Sequence, residues 1–236
     1  MKMITVSLSW ECAKDPPCSF CYQKAGAVTG DTWEIYHTLQ RLLDEHPKAT
    51  VCFEYSGYNL LHLFRHVPWK SHRYIFTMTT MPQLCTEVFC GAVKATGISA
   101  LAISYDSEKC KSADEWMEAG HHAHDAGLKV ACNYLIEHFP PQVPDTIATM
   151  AHQVNLLVMK PTGKLNKMEC AMVTMEIERL KANHVSVAVD NCLGVQLGFV
   201  KKCKPGVDFV HVMPDGNVEP CCFKERCFLW EKNDAD

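Results

Sequence analysis

Three cysteines stand close together near the start of the chain, in the run Cys12-Ala-Lys-Asp-Pro-Pro-Cys18-Ser-Phe-Cys21. Thiolates are soft ligands, so this grouping points to an iron–sulfur cluster or to zinc. Three thiolates can hold three irons of a cubane cluster and leave the fourth open. An open iron can bind a small molecule, which a site closed by four thiolates cannot do. The competing chemistry is structural zinc, for which Cys18-Ser19-Phe20-Cys21 is a half-site. Zinc would need a fourth ligand, and the next histidine along the chain is His37.

A second group of thiols lies in the last fifth of the chain: Cys192, Cys203, Cys221, Cys222 and Cys227. Residues 207–212 and Val218 read as two strands of a hairpin, turning at Asp215-Gly216 or Gly216-Asn217. A hairpin flanked by cysteines brings those thiols together. The alternatives here are a second iron–sulfur cluster and a four-cysteine zinc knuckle. Cys192 is favoured over Cys222 as the fourth ligand, because adjacent residues on an extended chain point in opposite directions. The other six cysteines, Cys52, Cys85, Cys90, Cys110, Cys132 and Cys170, are scattered and read as small buried hydrophobes.

The elements that must position these groups follow from periodicity. Strands are expected at 4–9, 50–55, 73–79, 98–105, 128–136, 154–159 and 185–189. Helices are expected between them at 31–46, 84–96, 112–127, 144–152 and 165–183, with Ser112-x-x-Glu115 as a capping box. This is an α/β alternation with near-continuous apolar strands, expected to be buried on both faces of a parallel sheet. A doubly wound sheet and a β/α barrel both fit. No G-x-G-x-x-G follows the first strand, and about 190 residues fall short of the ~250 of a closed eight-strand barrel. An open barrel of about six parallel strands fits the length, and in such barrels chemistry sits at the carboxyl ends of the strands. The Cys12–Cys21 loop follows the first strand directly.

Composition narrows the function classes. The chain has 236 residues, 47% hydrophobic and 21% charged, with 14 cysteines and a net charge of -4. Disorder is excluded. Nothing in the charge balance draws the chain to nucleic acid or an anionic membrane. No apolar run approaches the ~18 residues of a membrane span. The first residues do not form a secretory signal, so the cysteines read as metal ligands in a cytoplasmic protein rather than as a disulfide framework.

The residues of the first cluster resemble the radical S-adenosylmethionine (SAM) superfamily. Cys18-Ser19-Phe20-Cys21 matches the C-x-aromatic-C half of the family motif. The first spacing departs from it, with five residues between Cys12 and Cys18 where most members have three. The second strand ends in Ser56-Gly57, similar to the family's Gly-Gly-Glu-Pro-like turn, where backbone can meet the SAM amino group. Thr79 ends the third strand, near the expected SAM ribose and carboxylate, and Ser104 the fourth, in a Ser-Ile-Asp-like pattern. Asn133 lies on the fifth, similar to an Asn near the ribose. Met159 ends the sixth, where adenine is commonly held, and Phe20 would pack on that adenine.

The tail resembles the SPASM or shorter Twitch extension. Cys203, Gly216 and Cys221 fit the pattern of Cys, nine to fifteen residues, Gly, four residues, Cys. The resemblance implies a partial β/α barrel over residues 1–190 and an auxiliary-cluster hairpin extension over 191–236. It implies a SAM-binding 4Fe–4S cluster on Cys12, Cys18 and Cys21, and one auxiliary cluster on Cys192, Cys203, Cys221 and Cys227. The implied reaction begins with SAM chelated at the open iron. An electron, from a donor such as flavodoxin or ferredoxin, cleaves its carbon–sulfur bond. The resulting 5'-deoxyadenosyl radical abstracts hydrogen from the substrate.

The substrate implied is a peptide or protein side chain, with a small metabolite or nucleotide as the alternative. Eleven residues before Cys12 leave no room for a leader-binding domain, so leader recognition is expected to need a separate protein. No catalytic residue is assigned; Trp10, Tyr22, Glu54, Tyr58, Tyr105 and Asp106 lie near strand ends, where a substrate pocket is expected. Two other readings stand beside this one: a zinc-stabilised β/α binding protein without SAM turnover, and a radical SAM scaffold that binds SAM without cleaving it.

Overall fold

The computed structural model describes residues 1–8, 18, 32–54, 75–159 and 163–221. The strands are β1 (Met3–Ser7), β2 (Thr50–Glu54), β3 (Ile75–Thr80), β4 (Ala100–Tyr105), β5 (Lys129–Ile136), β6 (Gln153–Val158), β7 (Val187–Val189), β8 (Phe209–Val212) and β9 (Val218–Glu219). The helices are α1 (Thr32–Glu45), α2 (Glu87–Ala95), α3 (Ala113–Asp125), α4 (Asp145–Met150), α5 (Lys167–Ala182) and α6 (Asn191–Gln196). The strands form one sheet in the order β7-β6-β5-β4-β3-β2-β1-β8-β9. Strands β1 to β8 pair in parallel, and only the β8–β9 hairpin is antiparallel. Edges β7 and β9 are not hydrogen-bonded to each other, so the sheet is open, as the length required.

Two features differ from the sequence expectation. The first is the strand count. Strand β8 joins the main sheet beside β1, with Met3 opposite Phe209 and Val6 opposite Val212, adding to the parallel strands read from the sequence. A partly buried hydrogen bond across that pair, between Thr5 Oγ1 and His211 Nδ1 at 2.8 Å, stitches it from the side chains. The second is the character of the faces. The strands are not apolar on both sides. Ile4, Val6, Val51, Phe53, Met78, Leu101, Ile103, Cys132, Val154 and Leu156 are wholly buried. Their alternate neighbours Thr5, Cys52, Thr77, Thr79, Ala102, Ala131, Asn133 and Asn155 are half-buried and small or polar. One face therefore packs under helices while the other lines open space, a period-2 pattern.

The helices cover the apolar face through the positions their periodicity marks. Ile35, Leu39, Leu42 and Leu43 of α1 are all buried. Trp116 of α3 is fully buried and donates its indole N–H to the Ile103 carbonyl at 3.2 Å, which places the ring against β4. The Ser112 cap forms as expected, accepting from the Glu115 N–H at 3.2 Å. Glu115, however, accepts from the N–H of Lys111 at 2.6 Å rather than closing the box on Ser112. The complete capping box is at α5, where Asn166 and Glu169 each accept from the other's N–H. Asp190 caps α6, accepting from the Leu193 N–H at 2.7 Å. The helix expected over 84–96 divides into a 3-10 turn at Pro82–Leu84 and α2, broken at Cys85 and capped by Thr86.

Candidate functional site

A cavity of about 830 Å³ lies against the small-residue face of the sheet. Its walls come from all eight parallel strands: Thr5 on β1, Cys52 and Glu54 on β2, Thr77 and Thr79 on β3, Ala100 and Ala102 on β4, Ala131 and Asn133 on β5, Asn155 and Leu157 on β6, Ala188 and Val189 on β7, and Phe209 on β8. Side chains on this face touch across an intervening strand. Asn133 Nδ2 donates to Thr79 Oγ1 at 3.5 Å, although β4 separates their strands. In a flat sheet next-nearest strands lie roughly 9–10 Å apart. The contact therefore requires the sheet to curl toward this face. Ala102, which pairs with Thr79 in register, leaves the space for it. The cavity is the hollow of an open barrel.

Its polar groups form a chain. Gln153 Nε2 donates to Asn155 Oδ1 at 2.6 Å, and Asn155 Nδ2 donates to Asn133 Oδ1 at 2.7 Å. Asn133 reaches Thr79, and the Cys52 thiol lies 3.5 Å from the Thr79 hydroxyl. Burial pushes the Cys52 thiol up, against the opposing pull of its hydrogen bonds to Thr79 and Thr77. Cys52 is thus a protonated thiol at neutral pH. Nearer the carboxyl edge, fully buried Ser7 donates to Glu54 Oε2 at 2.8 Å and fixes that carboxylate on the cavity wall.

Cys192, Cys203 and Cys221 also line this cavity. Cys192 follows edge strand β7, whereas Cys203 precedes β8 and Cys221 follows β9 at the other edge. The tail thiols thus approach one space from both sides of the open sheet. Their type suits a soft metal. Among the described residues, no three His, Cys, Asp or Glu side chains are grouped to hold one metal ion. The three thiols share a cavity but not one coordination sphere. Cys227, expected as the fourth ligand, lies outside the described residues, as does Cys222.

The other expected site residues divide three ways. Thr79 and Asn133 line the cavity and are joined to each other. Ser104 is buried beside Asn133 in register, and Met159 is half-buried just beyond β6; neither lines the cavity. Cys12, Cys21, Phe20, Ser56 and Gly57 lie outside the described residues, and Cys18 is half-buried. Of the strand-end residues, Glu54 lines the cavity. Tyr105 stacks on Tyr134, ring centroids 5.9 Å apart, on the helix-covered side. Asp106 accepts from the N–H groups of Glu108 and Lys109 and pairs with the Lys109 ammonium at 3.2 Å, so it closes a turn. Trp10, Tyr22 and Tyr58 lie outside the described residues.

Sequence reasoning passed over Cys52, Gln153 and Asn155. Among the scattered cysteines, Cys85, Cys90, Cys110 and Cys132 are buried as expected, but Cys52 and Cys170 are half-buried. The signal for the polar chain was present: polar residues recur two apart at Thr77/Thr79 and Gln153/Asn155, at strand positions facing away from the core. No described helix is long and apolar enough to cross a membrane.

No family model matches the chain, and no curated protein matches it in sequence. Solved structures do match. Methylornithine synthase superposes with a TM-score of 0.62 at 14% identity, covering 90% of this chain and 72% of that one. A tryptophan synthase α-subunit from the hyperthermophile Pyrococcus furiosus superposes with a TM-score of 0.51 at 15% identity, covering 90% and 87%. Both neighbours are enzymes. At these identities the likeness shows the fold alone, a barrel-like parallel β/α sheet.

Proposed function

We propose that this protein is a radical SAM enzyme that reductively cleaves SAM and abstracts hydrogen from a peptide or protein side chain. The observation that carries the reading is where the chain leaves β1. Leu8 stands at the carboxyl edge of the parallel sheet, four residues before Cys12. At ~3.6 Å per residue, Cys12 lies within about 14 Å of that edge. The segment that carries the three cysteines therefore begins beside the edge where parallel β/α sheets do their chemistry, which supports the reading. Leu8, from which that segment departs, follows β1, one wall of a hollow whose lining includes Thr79 and Asn133. The likeness to methylornithine synthase supports the fold on which this reading depends.

When bound, the cluster and SAM supply a 5'-deoxyadenosyl radical; the remaining work belongs to the chain. Cys12, Cys18 and Cys21 would hold the cluster. Cys203 and Cys221 would hold an auxiliary one with Cys227 only if they and Cys192, which border one cavity without forming one coordination sphere, close together around it. Thr79 and Asn133 offer hydroxyl and amide groups to SAM. Ala100, Ala102 and Ala131 keep the hollow open for substrate, and the helix-covered apolar face behind the sheet keeps it rigid. A small reductase of the flavodoxin or ferredoxin type would deliver the electron.

The test is the Cys12→Ala, Cys18→Ala, Cys21→Ala triple variant, purified without oxygen and given SAM and dithionite. It should form no 5'-deoxyadenosine while keeping the metal of the tail. Cleavage at the wild-type rate in that variant would remove the proposed site.

A further inference from the structure

We infer that Asn155 and Gln153 are positioning residues that hold Asn133 and Thr79 as a paired hydrogen-bond donor for the carboxylate of SAM. This rests on the proposed function and goes beyond its residue set, since neither side chain belongs to the motifs that suggested it.

The chain of amides has a direction. Gln153 donates to Asn155, Asn155 donates to Asn133, and Asn133 donates to Thr79. Each carboxamide has one acceptor oxygen and one NH2 group. Because the Asn133 oxygen is occupied by Asn155, its NH2 group faces Thr79 and the cavity. The Thr79 oxygen accepts from Asn133 and faces the protonated Cys52 thiol at 3.5 Å; with that thiol as donor, the Thr79 O–H proton is left to donate. The end of the chain thus presents N–H and O–H together. A carboxylate, which only accepts, suits that pair better than a ribose hydroxyl, which must both give and take. The geometry depends on the curl of the sheet over Ala102, so the pair exists only in the folded barrel.

Asn155→Asp removes the donor and nearly preserves shape. An aspartate facing the Asn133 oxygen would turn that amide over, so that its NH2 group faces residue 155 and its oxygen faces the cavity. The presented group would change from donor to acceptor. Gln153→Leu is the milder partner variant, since it releases Asn155 at the start of β6 without introducing charge. Neither change touches the apolar face, and each variant's melting curve reports whether it folds.

The experiment measures equilibrium binding to the anaerobically reconstituted, unreduced protein, with no turnover. The probes are SAM and 5'-methylthioadenosine, which shares the nucleoside but lacks the amino-acid group. Wild-type protein should bind SAM. Asn155→Asp should weaken SAM about tenfold to a hundredfold, the worth of a charge-assisted hydrogen bond, and leave methylthioadenosine within about twofold. Gln153→Leu should weaken SAM in the same selective way by about threefold to tenfold. Equal loss of both probes in the folded variants, or no loss of either, overturns the inference while the proposed function stands. Failure of wild-type protein to bind SAM overturns the proposed function, and this inference with it.

Discussion

The tip of the β8–β9 hairpin offers a sharp test of how the tail is seated. Gly216 has φ +81°, a left-handed conformation that costs an L-residue about 1–2 kcal/mol. It also presses against α1. A Cβ at Gly216 would lie 2.8 Å from Glu34 Cβ, 3.0 Å from the Glu34 carbonyl carbon and 3.2 Å from its oxygen. Two of those three atoms are backbone, so no rotamer change relieves the contact. The tip would have to lift, loosening the hydrogen bond that Thr38 Oγ1 donates to the Gly216 carbonyl at 2.9 Å. Lost bonding and overpacking together add roughly 2–3 kcal/mol to the cost of the dihedral.

Gly198 is the control. It has a similar φ of +75°, but a Cβ there would meet nothing within 4 Å. Gly198→Ala should therefore cost about 1–2 kcal/mol and Gly216→Ala about 3–5. Urea unfolding measures both, and hydrogen exchange at Val210 and Val212 locates the damage. Because Cys203 and Cys221 flank this hairpin, Gly216→Ala should also weaken metal retention by the tail. Equal costs for the two substitutions would refute the seating of the hairpin against α1.

Other expectations follow from the packing. Arg179→Met should cost about 3–5 kcal/mol in urea unfolding, because buried Glu176 takes bonds from Arg179 Nε at 2.7 Å and Nη2 at 2.8 Å and would keep only the Val143 N–H. Adding Glu176→Leu to that variant should recover part of the loss. Gly91→Ala, in the exposed middle of α2 with nothing within 4 Å, should stabilise by about 0.5–1 kcal/mol in the same assay. Burial raises the Cys110 thiol to about 11, so its protonated form favours the fold below pH 9. That contribution should fade as pH rises from 9 to 11, by about 2 kcal/mol, and Cys110→Ala should flatten the decline. Ala102→Leu should separate Asn133 from Thr79 and fill the hollow, abolishing SAM binding with little change in melting temperature.

Much of the fold was legible because strand and helix periods are local. The core side of β3, β4 and β6 announces itself in Phe76/Met78, Leu101/Ile103 and Val154/Leu156. The pairing of β8 with β1 was not legible, since it joins the two ends of the chain and local pattern carries no register over that distance. The hollow was hidden by aggregate apolarity. Ala100, Ala102 and Ala131 count as hydrophobic, yet their smallness, on the face opposite Leu101 and Val130, is what makes room. Cys52 was hidden by its type, because one cysteine alone on a strand looks like a core residue. The tail cysteines were legible from spacing, and Cys192, Cys203 and Cys221 do line one cavity. How they would close around a metal depends on side-chain geometry that spacing does not encode.

The central claim is tested most directly by anaerobic reconstitution of the wild-type chain, with iron and sulfide counted before SAM and dithionite are added. Two clusters of the four-iron type predict about eight irons per chain and the appearance of 5'-deoxyadenosine. Tightly held zinc with no iron uptake and no SAM cleavage would contradict the account and leave a metal-stapled binding protein.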